Sequence, residues 1–351
     1  MLNKEEKILF RKSLSFDDVL LEPQFSNIAS RSDINLDLDI HTATPMKLPV
    51  FAAPMDTIMN AEMASAAFEA GARGVMHRYC TIQEQSLVVR RATRKKVSAA
   101  TTPEIFAAIG TTGDYQERAY ELVEAGVSGL CVDVAHGHHQ LVRDAVMFLR
   151  HHYGDLHIMA GNVATREAFD MLANAGATSV RVGVGGGSIC STRLQTGHGV
   201  PTLQSVLDCA LSETDALLIA DGGIKNSGDM VKALAAGADA VMVGSMLSGT
   251  PECPGEIIAN RTGGPPVKVY RGMASPEAQI NWRGNYSSNE GVSRTVPLKP
   301  PAASVFFEIN KGIRSGLSYS GARTIRELHA KASFLIQTAA GAKESSTHID
   351  S

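Results

Sequence analysis

Eight short apolar segments recur along the chain at intervals of roughly 20–30 residues, with a helical pattern between each one and the next. The predicted strands span residues 50–54, 74–77, 105–109, 130–134, 158–163, 180–183, 217–221 and 240–244. They are apolar throughout, which is typical of parallel strands buried on both faces. The pattern predicts an α/β fold, a single (β/α)₈ TIM barrel, with an open doubly wound sheet as the alternative.

The intervening helices are predicted over residues 62–70, 83–91, 115–125, 139–150, 165–175, 201–211 and 227–236. After the eighth strand, residues 250–300 are rich in Pro and Gly, so no helix is predicted there. The next predicted helix begins only near residue 324 and ends near residue 334. In a barrel, such a segment would form a flap over the C-terminal face, where active sites gather. We expect one domain over residues 1–351, in which residues 1–45 wrap the barrel and a polar tail covers about 341–351.

Composition and charge argue against several classes of protein. The chain has 33 Lys and Arg against 36 Asp and Glu, a net charge of −3, so binding of nucleic acid by bulk basicity is not expected. The sequence has no apolar run long enough for a membrane span, and its charged N-terminus does not resemble a signal peptide. The five cysteines contain no C-x-x-C pair, which favours a reduced, cytoplasmic protein.

The segment most indicative of chemistry covers residues 181–202, RVGVGGGSICSTRLQTGHGVPT. It has neither the glycine spacing of a dinucleotide fingerprint nor the Gly-Lys-Ser/Thr of a P-loop. Its glycines could still bring several backbone N–H groups onto a phosphate. Cys190 lies among these dipoles, which would stabilise a thiolate, and is therefore the candidate nucleophile. The alternative is a flexible surface loop.

Two further strand ends carry phosphate-type sequences, Asp221-Gly222-Gly223 and Gly244-Ser245. Loops after the seventh and eighth strands commonly bind phosphate in barrels, and Asp221 is placed to bind a ribose diol. The alternative for Asp221 is a simple Asp-Gly turn.

Two other clusters are interpreted as solvated surface. The histidines of residues 136–139 have no acidic or cysteine residues at metal-ligand spacing, so a polar loop is favoured over a metal site. The basic run RRATRKK at 90–96 is interpreted as an exposed helix face and not as an anion site.

Together these motifs resemble the IMP dehydrogenase/GMP reductase family over essentially the whole chain. The matching stretches are SFDDVLL (15–21), PMDT (54–57), GNV (161–163), GSIC (187–190), ADGG (220–223), VGS (243–245) and YRGM (270–273). The family fold is a (β/α)₈ barrel, in agreement with the strand pattern. Members of the family usually assemble as tetramers or octamers.

The resemblance implies a role for each matching position. Cys190 would attack C2 of GMP or IMP, assisted by Thr192 and Glu290. The nucleotide would be bound by Met55, Ser188, Asp221, Gly223, Gly244, Ser245, Tyr270, Gly272, Met273 and Ala274. A nicotinamide cofactor would lie beside Asp133, Asn162 and Gly183. A monovalent cation, K⁺, would be held by Gly185, Gly187 and Cys190, with Glu344, Ser345 and Ser346 of a neighbouring subunit in a homotetramer.

The flap separates the two activities of the family. A dehydrogenase hydrolyses its covalent intermediate with water activated by an Arg-Tyr pair, but here Thr295 and Leu298 stand at those positions and Arg294 is one position off. The chain also has no room between Gln83 and Ile105 for the inserted CBS pair of most IMP dehydrogenases. These features favour a GMP reductase that uses NADPH to convert GMP to IMP and ammonia.

Other features keep the alternatives open. The stretches IADGGI (219–224) and PGE (254–256) are more typical of an IMP dehydrogenase, which would oxidise IMP to XMP with NAD. A nucleotide-binding regulator with a degenerate site is the alternative outside enzymes. The presence of Cys190, Asp221 and Glu290 argues against that regulator.

Overall fold

Eight parallel strands close into a barrel in the computed structural model, which describes residues 11–95, 102–260 and 263–345. A short strand β1 (Val19–Leu21) precedes the barrel strands β2 (Val50–Ala52), β3 (Arg73–Met76), β4 (Ile105–Ile109), β5 (Gly129–Asp133), β6 (His157–Val163), β7 (Ser179–Val182), β8 (Leu217–Asp221) and β9 (Ala240–Val243). Each strand pairs with the next along the chain, and β9 pairs with β2. The predicted TIM barrel is confirmed, and because β9 closes onto β2 the open sheet is excluded.

Helices connect the strands, and capping side chains fix where several of them begin. Thr81, for example, accepts a hydrogen bond from the N–H of Glu84, whose carboxylate accepts one from the N–H of Thr81. The helices are α1 (Ala61–Glu69), α2 (Ile82–Arg94), α3 (Tyr115–Glu124), α4 (Gln140–Tyr153), α5 (Arg166–Asn174), α6 (Thr192–Thr196), α7 (Thr202–Cys209), α8 (Ser227–Ala235), α9 (Pro276–Arg283), α10 (Ala302–Tyr319), α11 (Ile325–Lys331) and α12 (Ala339–Glu344). None of these described helices is both long and apolar enough to cross a membrane.

The segment before β2 closes the N-terminal end of the barrel. Leu38 and Met46 form an antiparallel bridge, and Ile40 and Met46 are fully buried against the barrel interior. The interior is filled by large side chains such as Phe51 and Phe106, whose rings meet edge to face at 5.6 Å. The barrel is therefore a packed core, and only its C-terminal end is available for a site.

The expectation that no helix lies between β9 and residue 324 is wrong. The residues predicted as a Pro- and Gly-rich flap contain β10 (Val267–Arg271), α9 and β11 (Ser293–Pro297), and the two strands pair antiparallel. The 18-residue helix α10 was missed entirely. Its buried residues recur at helical spacing, so the signal was present: Ala302, Phe306, Ile309, Ile313 and Leu317.

Two short strands, one before and one after the barrel, pair with each other. Strand β12 (Phe334–Ile336) pairs antiparallel with β1, and α12 continues to Glu344. The predicted polar tail is thus helical up to that point, while residues 346–351, including Ser346, lie outside the described residues.

A buried histidine makes the stability of the barrel depend on pH. Burial lowers the pKa of His157 to about 4, although its ring nitrogens lie 2.6 Å from the Ile40 carbonyl oxygen and 2.7 Å from Ser179 Oγ. Its stabilising contribution is complete above the unfolded pKa of about 6.5 and is lost as the pH falls from there towards 4. We expect a loss of roughly 3 kcal/mol in unfolding free energy over that range.

Urea unfolding at pH 7.5 and pH 4.5 measures this loss. His157→Gln should reduce the pH dependence but leave part of it, because burial also lowers the pKa of His77 to about 4. An unchanged pH dependence in this variant would contradict the assignment.

Candidate active site

A cavity of about 850 Å³ opens at the C-terminal ends of the barrel strands. Its walls are the loops that follow the strands together with residues of the segment between β10 and β11. The predicted site residues that line it are Met55, Asp133, Asn162, Gly183, Gly185, Gly187, Ser188, Cys190, Thr192, Asp221, Gly223, Gly244, Ser245, Tyr270, Gly272, Met273, Ala274 and Glu290. The fold thus brings residues from most parts of the sequence together around one cavity. Their individual roles remain predictions.

Backbone hydrogen bonds join the loop that carries Cys190 to the segment that carries Glu290. The N–H of Ser191 donates to the Glu290 carbonyl at 2.9 Å, and the N–H of Val292 donates to the Ile189 carbonyl at 3.0 Å. Cys190 itself forms an antiparallel bridge with Gly291. The two segments are nearly 100 residues apart in sequence, so this short ladder fixes the thiol relative to the carboxylate.

The thiol of Cys190 is exposed to the cavity and lies 3.1 Å from Thr192 Oγ1. Thr192 begins α6 directly after this loop. Because its hydroxyl lies so close to the sulfur, it is placed to exchange a proton with a group attached there. Glu290 also lines the cavity, where Ser288 Oγ is 3.4 Å from its Oε1. A nucleophile, a hydroxyl and a carboxylate therefore converge on one space, which is the minimum for covalent acid–base chemistry.

The other four cysteines are free thiols away from this geometry. Cys131 and Cys209 are buried, as the sequence predicted for small core residues, and burial raises the pKa of each thiol to about 12. Burial also raises the pKa of Cys80 to about 11. These three thiols remain protonated at neutral pH.

The predicted phosphate loops meet on one side of the cavity. Gly222 has φ +95°, and a Cβ there would come within 3.2 Å of the Gly187 nitrogen, so only glycine lets the two loops touch. Tyr270 is buried beside them, which raises the pKa of its phenol to about 12 despite a hydrogen bond with Ser188. The phenol is therefore a hydrogen-bond donor at neutral pH, and beside two glycine-rich loops it suits an anion.

A buried arginine that sequence reasoning missed organises the acidic side of the cavity. Arg181 Nη1 lies 2.6 Å from Asp133, and Arg181 Nη2 lies 2.9 Å from Asp221. Burial acts to lower the pKa of Arg181, but Asp221 and Asp133 together raise it well above its ordinary value. The available signal was a charged residue inside an otherwise apolar strand.

Asn162 completes this network from β6. Its Nδ2 donates to the Gly183 carbonyl and to Asp221 Oδ2, both at 2.9 Å. Its Oδ1 is buried and has no hydrogen-bond partner among the described residues. A Cβ at Gly183 would lie 1.9 Å from the Asp221 carbonyl oxygen, so this approach of two strand ends requires glycine.

A second missed ion pair fastens the flap to the barrel. Arg271 in β10 binds Asp56 through two nitrogens, with Nη2 at 2.5 Å and Nε at 2.9 Å. The N–H of Arg271 also donates to Thr57 Oγ1. Both motifs, YRGM and PMDT, were noted in the sequence, but only the structure pairs their charged residues.

Among the described residues, two predicted site residues do not line the cavity of this chain. Glu344 and Ser345 lie at the end of α12, where Ser345 Oγ donates to Gln337, and Ser346 is outside the described residues. His139 caps the N-terminus of α4 by accepting from the N–H of Leu141, which agrees with the predicted polar loop. Within the described ranges, no group of three His, Cys, Asp or Glu side chains could hold a metal ion.

Comparison with known proteins identifies this arrangement. The sequence model of the IMP dehydrogenase / GMP reductase domain matches residues 13–348. The chain belongs to this family. Dehydrogenases and reductases of the family are oxidoreductases that use a nicotinamide cofactor. The resemblance inferred from the motifs is therefore confirmed.

This chain is similar to relatives named as dehydrogenases and to relatives named as reductases. It is 32% identical to an inosine-5'-monophosphate dehydrogenase of Nitrosopumilus maritimus, with 97% of this chain and 98% of that protein covered. It is 30% identical to a GMP reductase of Leishmania major, with 96% and 97% covered. An Aquifex aeolicus inosine-5'-monophosphate dehydrogenase is 46% identical, but the match covers 69% of this chain and only 51% of that protein.

A solved structure agrees over nearly the full length. The crystal structure of a GMP reductase variant from Trypanosoma brucei, in complex with guanosine 5'-monophosphate, superposes with a TM-score of 0.90 at 29% identity. The superposition covers 99% of both chains.

Proposed function

We propose that this protein is a GMP reductase that converts GMP to IMP and ammonia with NADPH through a covalent thioimidate on Cys190. The carrying observation is that Cys190, Thr192 and Glu290 line the cavity together. In the flap sequence, Thr295 and Leu298 stand where the family resemblance places the water-activating pair of a dehydrogenase. Without that pair, an intermediate on Cys190 would be reduced and not hydrolysed. The similarity to GMP reductases supports the proposal.

The residues divide the reaction into two steps. Cys190 Sγ bonds to C2 of GMP, and the 2-amino group leaves as ammonia with the proton released by the thiol, passed through Thr192 and Glu290. Reduction of the thioimidate at C2 then breaks the C2–S bond, so that IMP departs and the thiolate takes up one proton. Splitting one difficult substitution into two easier steps is the usual gain from a covalent nucleophile.

The acidic side of the cavity fits a nicotinamide cofactor. Asn162 has a buried, unpartnered Oδ1, which suits the N–H of a carboxamide, and Asp133 beside it can accept from a ribose hydroxyl. When bound, the cofactor would supply the hydride for C2. Arg181 holds Asp133 and Asp221 in place, and Asp221 would accept from the ribose of GMP.

IMP dehydrogenase is the second candidate, because the cavity does contain an arginine next to a tyrosine, Arg78 and Tyr79. Burial raises the pKa of Tyr79, and its ring lies stacked on Trp282 at 4.2 Å. A phenol with a raised pKa is a poor activator of water at neutral pH. This argument favours the reductase.

Two assays with the purified protein test the choice. Absorbance at the NADPH band would be followed with GMP, and NADH formation would be followed with IMP and NAD. We expect GMP-dependent NADPH oxidation with release of ammonia. Robust IMP oxidation without GMP reduction would refute the proposal, and nucleotide binding without turnover in either assay would favour the regulator.

Three further features belong to the same proposal. The carbonyl groups of Gly185, Gly187 and Cys190 would bind K⁺, with the C-terminal residues Glu344, Ser345 and Ser346 contributed by a neighbour in a homotetramer. The path from α2 to β4 covers residues 95–104, and we propose that the enzyme works as one barrel domain without the inserted CBS pair. Residues 250–300 would act as its flap.

Lys299 provides a test of the phosphate loop. Its Nζ donates to the carbonyl groups of Ser245 at 2.7 Å and Met246 at 3.1 Å, so it holds the turn after β9 without lining the cavity. Lys299→Met should raise the KM for GMP about tenfold and leave kcat within about threefold, because roughly 1.4 kcal/mol of positioning is lost.

Steady-state kinetics measure both constants. Lys311→Met is the control, since Lys311 contacts Glu308 and the Phe307 ring on the exposed face of α10, and none of these lines the cavity. An unchanged KM in the Lys299 variant would show that the turn needs no anchor.

A further inference from the structure

A buried threonine hydroxyl lies directly behind the predicted phosphate loops. Thr202 is the first residue of α7, and only 4% of it is exposed. Its Oγ1 is shielded from solvent and makes no hydrogen bond with any residue in the described ranges. A hydroxyl that is buried in this way costs free energy, so its position calls for a reason other than the stability of the free protein.

The backbone at the start of α7 is also unsatisfied. Pro201 stands at the N-cap position, where it provides no capping side chain. Within the part of the chain that the structure describes, the N–H groups of Thr202 and Leu203 donate to no backbone carbonyl. Both residues are buried. The positive end of the α7 dipole therefore lies inside the protein, next to a hydroxyl that has no partner.

Thr202 contacts both of the loops that were predicted to bind phosphate. A Cβ at Gly186 would lie 2.4 Å from Thr202 Oγ1. A Cβ at Gly223 would lie 3.6 Å from the same oxygen and 3.4 Å from the carbonyl oxygen of Gly186. Gly186 and Gly223 line the cavity, whereas Thr202 does not. The hydroxyl thus lies on the side of the loops that faces away from the cavity, near the Gly186 carbonyl.

The peptide unit between Gly186 and Gly187 connects this hydroxyl to the cavity. Its N–H and C=O groups point in opposite directions, as in any trans peptide. Among the described residues, the N–H groups of Gly187 and Gly223 donate to no backbone carbonyl. An anion that accepts from the N–H of Gly187 would leave the Gly186 carbonyl directed away from it, towards Thr202. A hydrogen bond at each end of one peptide unit strengthens the other.

We propose that Thr202 is a positioning residue for the nucleotide phosphate: its hydroxyl donates to the Gly186 carbonyl when the phosphate binds. This bond holds the loop in its phosphate-binding position. The proposal rests on the proposed function only in requiring a purine nucleoside monophosphate in the cavity, and it holds for GMP and IMP alike. Because the hydroxyl gains its partner only in the complex, it contributes to affinity and not to the stability of the free protein.

The competing explanation is that Thr202 is purely structural, with its hydroxyl bonded to a buried water in the free protein. Removal of the hydroxyl would then lower the stability of the free protein. It would not distinguish a ligand that carries phosphate from one that lacks it. The two explanations therefore predict opposite results for stability and for ligand preference.

Calorimetric titration with GMP and with guanosine, which lacks the phosphate, tests the proposal. Thr202→Val keeps the shape of the side chain and removes the hydroxyl. We expect it to weaken GMP binding about 3- to 10-fold and to leave guanosine binding unchanged. The urea midpoint of the free protein should stay the same or rise. Thr202→Ser, which retains the hydroxyl, should keep the wild-type preference for GMP over guanosine.

Thr324→Val is the matched control. Thr324 caps α11 by accepting a hydrogen bond from the N–H of Glu327, and it does not line the cavity. Loss of this cap should lower the urea midpoint and leave the preference for GMP over guanosine unchanged. The control therefore shows what the loss of a purely structural threonine hydroxyl does.

A lower urea midpoint in Thr202→Val with an unchanged preference for GMP, or equal loss of both ligands, would overturn the proposal. If Thr202→Val does not fold, Thr202→Ala, which also lacks the hydroxyl, takes its place in the same titrations. A wild-type protein that binds GMP and IMP no better than guanosine and inosine would refute the proposed function as well. A wild-type preference for the nucleotides that Thr202→Val retains in full would refute only the role of Thr202.

Discussion

Cys190→Ala is expected to lower kcat for GMP reduction by at least about 10⁴-fold, the scale on which loss of a covalent nucleophile acts. Cys190 is the one cysteine among the described residues that line the cavity, and its thiol lies 3.1 Å from the Thr192 hydroxyl that would pass the proton. Affinity for GMP should change little, because the phosphate loops and Asp221 are untouched. Activity and GMP binding, measured together, give the required contrast.

A second measurement tests the covalent step itself. Iodoacetamide should alkylate Cys190, the exposed thiol of the cavity, and GMP should protect it. Cys209→Ala is the control, since that thiol is buried in α7 with a pKa of about 12 and should leave activity within about twofold. If Cys190→Ala kept a tenth or more of the wild-type rate, the nucleophile would be misassigned.

Arg181→Leu should lower the free energy of unfolding by about 3–5 kcal/mol, the cost of leaving buried charges unpaired. The side chain is almost completely buried and contacts Asp133 at 2.6 Å and Asp221 at 2.9 Å. Its removal leaves two carboxylates facing each other at the end of the barrel. Binding of the nucleotide ribose and of the nicotinamide cofactor should weaken with it, because both acids lose their fixed positions.

Urea unfolding measures the stability loss, and a second substitution identifies its cause. Adding Asp133→Asn to Arg181→Leu should recover part of the stability, since a neutral amide needs no counter-ion. Arg143→Leu is the control: Arg143 pairs with Asp144 on the exposed face of α4, so its loss should cost less than about 1 kcal/mol. Equal effects in the two single variants would show that the buried network contributes nothing special.

The arginine network illustrates how far the sequence could be followed. Asp221 and Asp133 were both recognised as site residues, from a strand-end position and from family resemblance. Arg181 was not recognised, because its two carboxylate partners lie 40 and 48 residues away in the sequence and no local pattern indicates them. The same limit applied to Arg271 and Asp56, which are 215 residues apart.

The missed helix α10 has a different explanation. Its apolar residues are spaced for one helix face, but two glycines, Gly312 and Gly316, reduce its helical propensity. In the structure those glycines are where α10 packs closely on α8: a Cβ at Gly312 would lie 2.2 Å from Ser227 Oγ, and one at Gly316 would lie 2.5 Å from Val231. Tertiary packing, which local propensity does not contain, thus explains both the glycines and the helix.

The sequence by itself determined the barrel and the loops at its strand ends, and it identified Cys190 as the candidate nucleophile. These depend on local properties: apolar runs buried on both faces, glycines that admit positive φ, and a thiol surrounded by backbone dipoles. The tertiary structure decided which charges are paired, how Glu290 is brought to Cys190, and that Arg78 and Arg283 have no carboxylate partner among the described residues. Those facts depend on contacts between residues that are distant in sequence, and such contacts exist only once the barrel has closed.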